Sequence, residues 1–315
     1  MMTELPLEQV RTLLAVVDEG TFDAAAAALH VTPSAVSQRI KALEQRTGRV
    51  LLQRTKPVRP TESGAVLVRF ARQLARLERD AWGELGLEGT GEPTRVSVAV
   101  NADSLATWFL PALTRVAGLC FELHREDEDH TAALLREGLV MAAVTSSPDP
   151  VPGCTVRPLG RMRYLPVAAP RFAADQLAGR PPAQALARAP VVVFDRKDDF
   201  QDGFARRLGH TSAGPLRHQV PTSEGFLDAV AAGLGWGMVP EAQAGPLLER
   251  GRLTVLVPGE HMDVSLYWQQ WKLDSPALAA LADAVAATAA EALRRGAAPG
   301  WCGQCGGGGR SRPPP

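Results

Sequence analysis

The segment Thr21-Phe22-Asp23-Ala24-Ala25-Ala26-Ala27-Ala28-Leu29-His30-Val31-Thr32-Pro33-Ser34-Ala35-Val36-Ser37-Gln38-Arg39-Ile40-Lys41-Ala42-Leu43-Glu44 reads as two short helices separated by a tight turn, a helix-turn-helix. The Thr32 hydroxyl can cap the second helix, and Pro33 then falls at the first helical position, where a missing N–H costs nothing. Val36, Ile40 and Leu43 recur at i, i+4 and i+7 and can pack inward. Ser34, Ser37, Gln38 and Lys41 line the opposite side. Small hydroxyls let a helix backbone approach the floor of a major groove. Gln38 can bond an adenine edge in two places, and Lys41 can reach guanine or phosphate. With Thr32, Pro33 and Arg39 at their border, these residues form a candidate DNA-contacting set.

The charge distribution points the same way. Over the whole chain 34 Lys and Arg balance 34 Asp and Glu, yet Arg39, Lys41, Arg46, Arg49, Arg54, Lys56 and Arg59 face the single acid Glu44 between positions 39 and 59. A local cluster of this kind suits neutralisation of a phosphate backbone. Gln53-Arg54-Thr55-Lys56-Pro57-Val58-Arg59-Pro60 reads as a proline-stiffened wing, with Arg54, Lys56 and Arg59 as candidate phosphate contacts.

These residues resemble the winged helix-turn-helix of LysR-type transcriptional regulators. The pattern runs from Val10-Arg11-Thr12-Leu13 through Ala25-Ala26, Thr32-Pro33-Ser34-Ala35-Val36-Ser37, Ile40-Lys41-Ala42-Leu43-Glu44, Gly48, Leu51-Leu52 and Arg54 to Pro60-Thr61-Glu62-Ser63-Gly64. Further on, Ala99-Val100-Asn101-Ala102-Asp103-Ser104-Leu105-Ala106-Thr107-Trp108, Glu126-Asp127-Glu128-Asp129, Ala189-Pro190-Val191-Val192-Val193-Phe194-Asp195, Asp198-Asp199 and Leu266-Tyr267-Trp268 are similar to the subgroup that senses lysine and arginine and controls their export. The resemblance reaches about Ala298. It implies an activator that binds double-stranded promoter DNA, a basic amino acid effector and RNA polymerase, and whose lobes hold the effector between them.

Beyond the wing, Thr61 can cap a long helix in which Leu67, Phe70, Leu74, Leu77 and Ala81 repeat in steps of three and four, a coiled-coil seam. Arg69, Arg72, Arg76, Glu78 and Arg79 charge its other face. Pairing with a second copy would supply the second recognition helix that a two-fold operator requires, so a homodimer is expected, with a tetramer as a further option. The glycine-rich residues 86–93 read as a hinge.

After it the pattern changes to α/β. Strands are expected over 95–100, 139–144, 164–168, 191–194, 236–239, 253–257 and 264–268. Helices are expected over 104–116, 131–137, 199–208, 224–232 and 276–295. The expected fold is therefore α/β, with an all-α winged helix-turn-helix over 1–62 and a linker helix and hinge over 63–92. A two-lobed domain resembling periplasmic binding proteins follows over 93–298, and a disordered tail over 299–315. Lobe I takes 93–163 and 268–298, lobe II 164–267.

Ligands of open α/β sheets sit at the carboxyl ends of strands, where helix N-termini offer free N–H groups. That rule selects Asn101, Asp103, Ser104 and Thr107 after one strand, Thr145 and Ser146 after another, Asp195, Asp198 and Asp199 after a third, and Ser223 and Glu224 at a helix start. Hydroxyls and N–H groups suit an α-carboxylate, and carboxylates suit ammonium groups. Ser104 and Ser223, and likewise Asp198 and Asp199, have a plainer reading as helix caps. The acids 126–129 read as a solvated loop, and Trp108, Trp236, Trp268 and Trp271 as core.

Other classes fit less well. No apolar run long enough to span a membrane follows the acidic N-terminal residues Glu4 and Glu8, and no secretory signal is expected, which places the chain in the cytoplasm and argues against a transporter's solute-binding protein. An enzyme using the lobes would need a nucleophile with a base or a metal cluster. His30, His124, His130, His210, His218 and His261 show no such spacing, and Gly233-Leu234-Gly235-Trp236-Gly237 precedes a strand, unlike a phosphate loop. Cys120, Cys154, Cys302 and Cys305 imply no disulfide framework, and neither metal nor cofactor is expected. A regulator of this type responding to another small metabolite stays open.

Overall fold

The computed structural model describes residues 4–85, 94–125 and 128–295. The expected hinge at 86–93, the side chains of the acid run 126–129, and Cys302 and Cys305 in the tail lie outside them. The chain divides into two compact units. Unit 1 comprises Met1–Pro158 and Tyr267–Glu291; unit 2 comprises Leu159–Leu266 and the residues from Ala292 onward.

Unit 1 opens with α1 (Leu7–Glu19), α2 (Phe22–Ala28) and α3 (Pro33–Thr47). Local chemistry sets each boundary. Gly20 ends α1 at φ 72°, the Thr21 hydroxyl accepts from the Ala24 N–H at 3.1 Å to start α2, and the Thr32 hydroxyl accepts from Ala35 N–H at 3.2 Å ahead of Pro33. His30 makes the turn between α2 and α3 at φ 54°, a left-handed conformation uncommon outside glycine. Val10, Leu13, Val16, Ala25, Val36, Ile40, Leu43 and Leu51 close the core of this domain. Burial contributes about 1.5 to 3 kcal/mol for each large aliphatic side chain.

The wing is a two-stranded ladder of β1 (Leu52–Gln53) and β2 (Arg59–Pro60). Thr61 then donates to Val50 O at 2.7 Å and accepts from Gly64 N–H at 3.1 Å, which starts α4 (Glu62–Glu84). A Cβ on Gly64 would fall 1.9 Å from Leu51 O, so only glycine admits this approach of the linker helix to the wing.

The remainder of unit 1 follows the α/β pattern. β3 (Thr94–Val100) leads into α5 (Ala102–Ser104), a π turn (Leu105–Phe109) and α6 (Leu110–Leu113); β4 (Leu119–Arg125), α7 (Glu128–Glu137) and β5 (Ala142–Thr145) come next. β3 runs parallel to β4 and β5, and the register pairing Ala99 with Ala143 brings the carboxyl ends of β3 and β5 together. The strand expected from 139 starts only at Ala142, because Gly138 turns left-handed and Leu139 N–H closes onto Leu134 O.

The chain crosses into unit 2 along β6 (Cys154–Ala168), three times the length expected from 164–168. Arg157, Arg161 and Arg163 disguise its first half as a loop, since the acids that pair with them, Asp283 and Asp263, lie 100 or more residues away in sequence. Unit 2 then contains α8 (Pro170–Leu177), α9 (Pro182–Leu186), β7 (Val191–Val193), α10 (Phe200–Arg207), β8 (Arg217–Gln219), α11 (Ser223–Ala231), β9 (Gly237–Pro240), α12 (Glu241–Glu249) and β10 (Thr254–Val255). β9 and β10 flank β6, both antiparallel, and β7 runs parallel to β8. β11 (Met262–Trp271) returns to unit 1, where Tyr267 to Gln270 pair antiparallel with β5, and α13 (Pro276–Ala292) follows. Among the described residues no helix is long and apolar enough to cross a membrane.

Candidate DNA interface and effector site

On α3 the two faces separate as the spacing predicts. Val36, Ile40 and Leu43 are at most 2% exposed, while Ser34, Ser37, Gln38 and Lys41 are solvent-facing. Thr32 and Ser34 share a 3.0 Å hydrogen bond through their hydroxyls. Pro33 is exposed beside them. Arg39 differs from its neighbours, since it is half-buried in an ion pair with Glu8 of α1 and so braces α3 against α1. In the wing Arg54, Lys56 and Arg59 are exposed. The Arg54 guanidinium lies 5.8 Å above the Phe22 ring, a cation–π distance that holds it beside α2. Glu44, the lone acid of the basic stretch, is used internally: its carboxylate accepts from Leu51 N–H at 2.8 Å and closes the loop into the wing.

The stripe on α4 departs from the expected seam at one end. Leu67 packs against the DNA-binding domain's core, whereas Val66, Phe70 and Leu77 are exposed and Leu74 is half-buried. Three residues of the charged face are engaged within the domain, while Arg79 is exposed. Arg72 ion-pairs with Asp18 and Glu78 with Arg11, both on α1, and Arg76 is fully buried against Asp80 at 3.1 Å.

In unit 1 the effector candidates cluster at the carboxyl ends of β3 and β5. Asn101 caps α5, its side-chain oxygen accepting from Ser104 N–H at 2.8 Å. Ser104 is fully buried, and its hydroxyl has no hydrogen-bond partner among the described residues. Asp103 and Ser146 are half-buried; Thr107 donates to Asp103 O at 2.6 Å. Thr145 is buried and donates to Ser147 O at 3.1 Å. Sequence reasoning missed Gln269, whose buried amide bonds the loop after Thr145 at several points. The only signal for it is a polar residue between Trp268 and Trp271 in an apolar strand.

In unit 2 the candidates serve the loop that carries them. Asp195 accepts from Lys197 N–H (2.7 Å) and Asp198 N–H (3.0 Å), and Asp198 accepts from Phe194 N–H (2.7 Å) and Phe200 N–H (3.0 Å). Burial pushes the Asp198 carboxyl above its ordinary value, against those hydrogen bonds. Asp199 is exposed and ion-pairs with Arg206 at 3.3 Å. Thr222, not Ser223, caps α11; Ser223 is buried and bonds Gln243 at 3.1 Å, and Glu224 is exposed. A separate network joins β6 to β11: Arg163 forks onto Asp263 at 2.9 and 3.0 Å, with Arg161 at 3.5 Å and His261 at 3.8 Å. Burial works to raise Asp263, but Arg163, His261 and Arg161 together hold it below the usual carboxylate range.

The four tryptophans named above are buried. Among the described residues no group of three or more His, Cys, Asp or Glu could hold a metal ion, and Cys120 and Cys154 are free thiols.

Comparison with known proteins meets this geometry at both ends of the chain. Residues 7–65 match the bacterial regulatory helix-turn-helix protein, lysR family, and residues 89–290 match the LysR substrate binding domain. The chain is 50% identical over 288 residues to the HTH-type transcriptional regulator LysG of Mycobacterium tuberculosis, covering 91% of this chain and 94% of that protein. It is 44% identical over 294 residues to the lysine export transcriptional regulatory protein LysG of Corynebacterium glutamicum, covering 91% and 98%. Among solved structures, ArgP from Mycobacterium tuberculosis aligns with TM-score 0.86 at 49% identity, over 91% of this chain and 98% of that one. Full-length Corynebacterium glutamicum LysG with bound effector Arg aligns with TM-score 0.79 at 43% identity, over 92% and 100%. These relatives are transcriptional regulators, which removes the enzyme alternative. A capped recognition helix with a polar outer face, a basic wing, a long linker helix and an α/β ligand domain thus belong to one architecture, and this chain is a member of the LysR-type transcriptional regulators.

Proposed function

We propose that this regulator senses a basic amino acid, lysine or arginine, in the cytoplasm and activates transcription of an exporter gene through RNA polymerase. The observation that carries the ligand reading is Ser104: a hydroxyl with no hydrogen-bond partner among the described residues, buried in α5 just after β3, beside the carboxyl end of β5. Such a group suits an α-carboxylate, and Thr107 and Ser146 are near it in sequence and register. Asp103 suits the α-ammonium. A cationic group suits an uncommitted acid: in unit 2 Asp199 and Glu224 are exposed, whereas Asp195 and Asp198 already accept backbone N–H bonds. The names of the LysG relatives and the arginine held by one of them support the same class.

Ser34, Ser37, Gln38 and Lys41 would then meet base edges, and Arg54, Lys56 and Arg59 phosphate. The exposed stripe of α4 would pair two copies. Calorimetric titration with lysine, arginine and norleucine tests the ligand reading. Norleucine lacks the cationic tip and leaves its acid unpaired, so it should bind about 2 to 5 kcal/mol more weakly if that acid is desolvated. Equal affinity for norleucine and lysine would remove the carboxylates from the site.

A further inference from the structure

We propose that Gln269 is the positioning residue that ties the effector loop to the linker helix, so that ligand bound at Thr145 and Ser146 is read out by Arg69 on α4. The proposal rests on the amino acid reading above and adds the route by which it reaches the DNA-binding domain.

Gln269 is 1% exposed, in a strand otherwise carrying Trp268 and Trp271. A buried amide needs partners for both its ends, and all of them come from one segment. The two N–H groups of its Nε2 are shared among Asp149 O at 2.9 Å, Ser147 O at 3.2 Å and Thr145 Oγ1 at 3.4 Å, and its Oε1 accepts from Val151 N–H at 2.9 Å. Residues 145–151, which form no helix or strand after Thr145, are therefore folded around one side chain. One residue on, Pro152 O accepts from Arg69 Nη1 at 3.1 Å.

The linker helix meets the turn after α7 as well. Arg69 and Arg72 reach Arg136 O and Glu137 O at 3.5 and 3.4 Å, carbonyls at the end of α7 that have no partner within that helix. A Cβ on Gly138 would lie 2.8 Å from Arg69 Cα, so backbone meets backbone there. Arg72 also holds Asp18 on α1. The contacts run without a gap from Thr145 through Gln269, Val151 and Pro152 to α4, and from α4 to α1.

A ligand carboxylate at Ser104 and Ser146 that also draws the proton of the adjoining Thr145 hydroxyl has a defined effect on this arrangement. The Thr145 hydroxyl has one proton and gives it to Ser147 O at 3.1 Å. Turning that proton to a ligand frees Ser147 O for Gln269 alone, which changes the loop that Arg69 grips. Coupling of this kind requires such a difference in contacts between the free and bound states.

Hydrogen exchange of the full-length protein with and without L-arginine tests it, in the parent, Arg69→Ala and Gln269→Leu, alongside DNA affinity. In the parent, arginine should alter exchange over 145–153 and over 66–73, and change DNA affinity about fivefold or more. In Arg69→Ala the effect over 145–153 should persist and the effect over 66–73 should vanish, with the arginine dependence of DNA affinity under about twofold and arginine affinity near the parent's. Gln269→Leu should lose both effects. Arg69→Ala keeps the proposal open to refutation if Gln269→Leu does not fold, because Arg69 packs at the surface. An arginine effect that still reaches 66–73 in Arg69→Ala overturns the route. No arginine effect anywhere in the parent overturns the amino acid reading beneath it.

Discussion

At the scale of single residues, neighbours in sequence have different work. Gln38 and Arg39 are adjacent on α3, yet Gln38 faces solvent and Arg39 is spent on Glu8. Replacing Gln38 with alanine should relax discrimination at one base pair by about 1 to 3 kcal/mol, whereas Arg54→Ala should weaken all duplexes alike and lower the salt slope by about 1. Binding of matched and mismatched duplexes across a salt series separates the two, and unchanged discrimination in Gln38→Ala would remove that contact. Cys154 offers a test through titration. Burial pushes its thiol up to about 11, with Arg69 opposing, so at neutral pH it stays protonated and a poor nucleophile. Peptide mapping after iodoacetamide should find it labelled slowly at pH 8 and faster only toward pH 11 or on unfolding. Rapid labelling at pH 8 in the folded protein would contradict its burial.

At the scale of elements, α4 shows how one helix serves three surfaces. Leu67, Val68 and Ala71 enter the DNA-binding core, Arg69 and Arg72 grip the end of α7, and Val66, Phe70 and Leu77 remain outward. A periodicity of three and four could show that the helix is amphipathic in sequence; it could not say which apolar residues face their own domain, because Leu67 and Val66 are one helical step apart. Phe70→Glu with Leu77→Glu should yield monomers that bind operator DNA poorly, since each carboxylate would be buried unpaired in the dimer seam. Sedimentation velocity is the check. A dimer surviving both changes would place the interface on other surfaces. Arg76 carries the same lesson in reverse: grouped by spacing with the charged face opposite the seam, it is 1% exposed beside Asp80.

At the scale of the whole molecule, an ion pair between distant segments links stability to pH. Asp263 is held below its ordinary value, so its contribution is present above the unfolded carboxylate range and is lost as pH falls through the folded value. Arg163→Met removes the main partner, raises that folded value and should move acid unfolding to higher pH, followed by tryptophan fluorescence; an unmoved midpoint would show that the pair adds nothing. The helix-turn-helix, the caps at Thr32 and Thr61 and the basic wing were all legible in order along the chain, because capping, helical periodicity and local charge act over a few residues. The α/β alternation was legible for the same reason, as was the cluster around Asn101 and Ser104. The length of β6, the committed carboxylates Asp195 and Asp198, the buried Arg76 and the four-bond grip of Gln269 were decided only by the tertiary structure. Each depends on a partner or an enclosing neighbour that sequence spacing does not supply. A charge paired across 100 residues and a buried amide satisfied by a loop from another strand look, in sequence, the same as side chains in water.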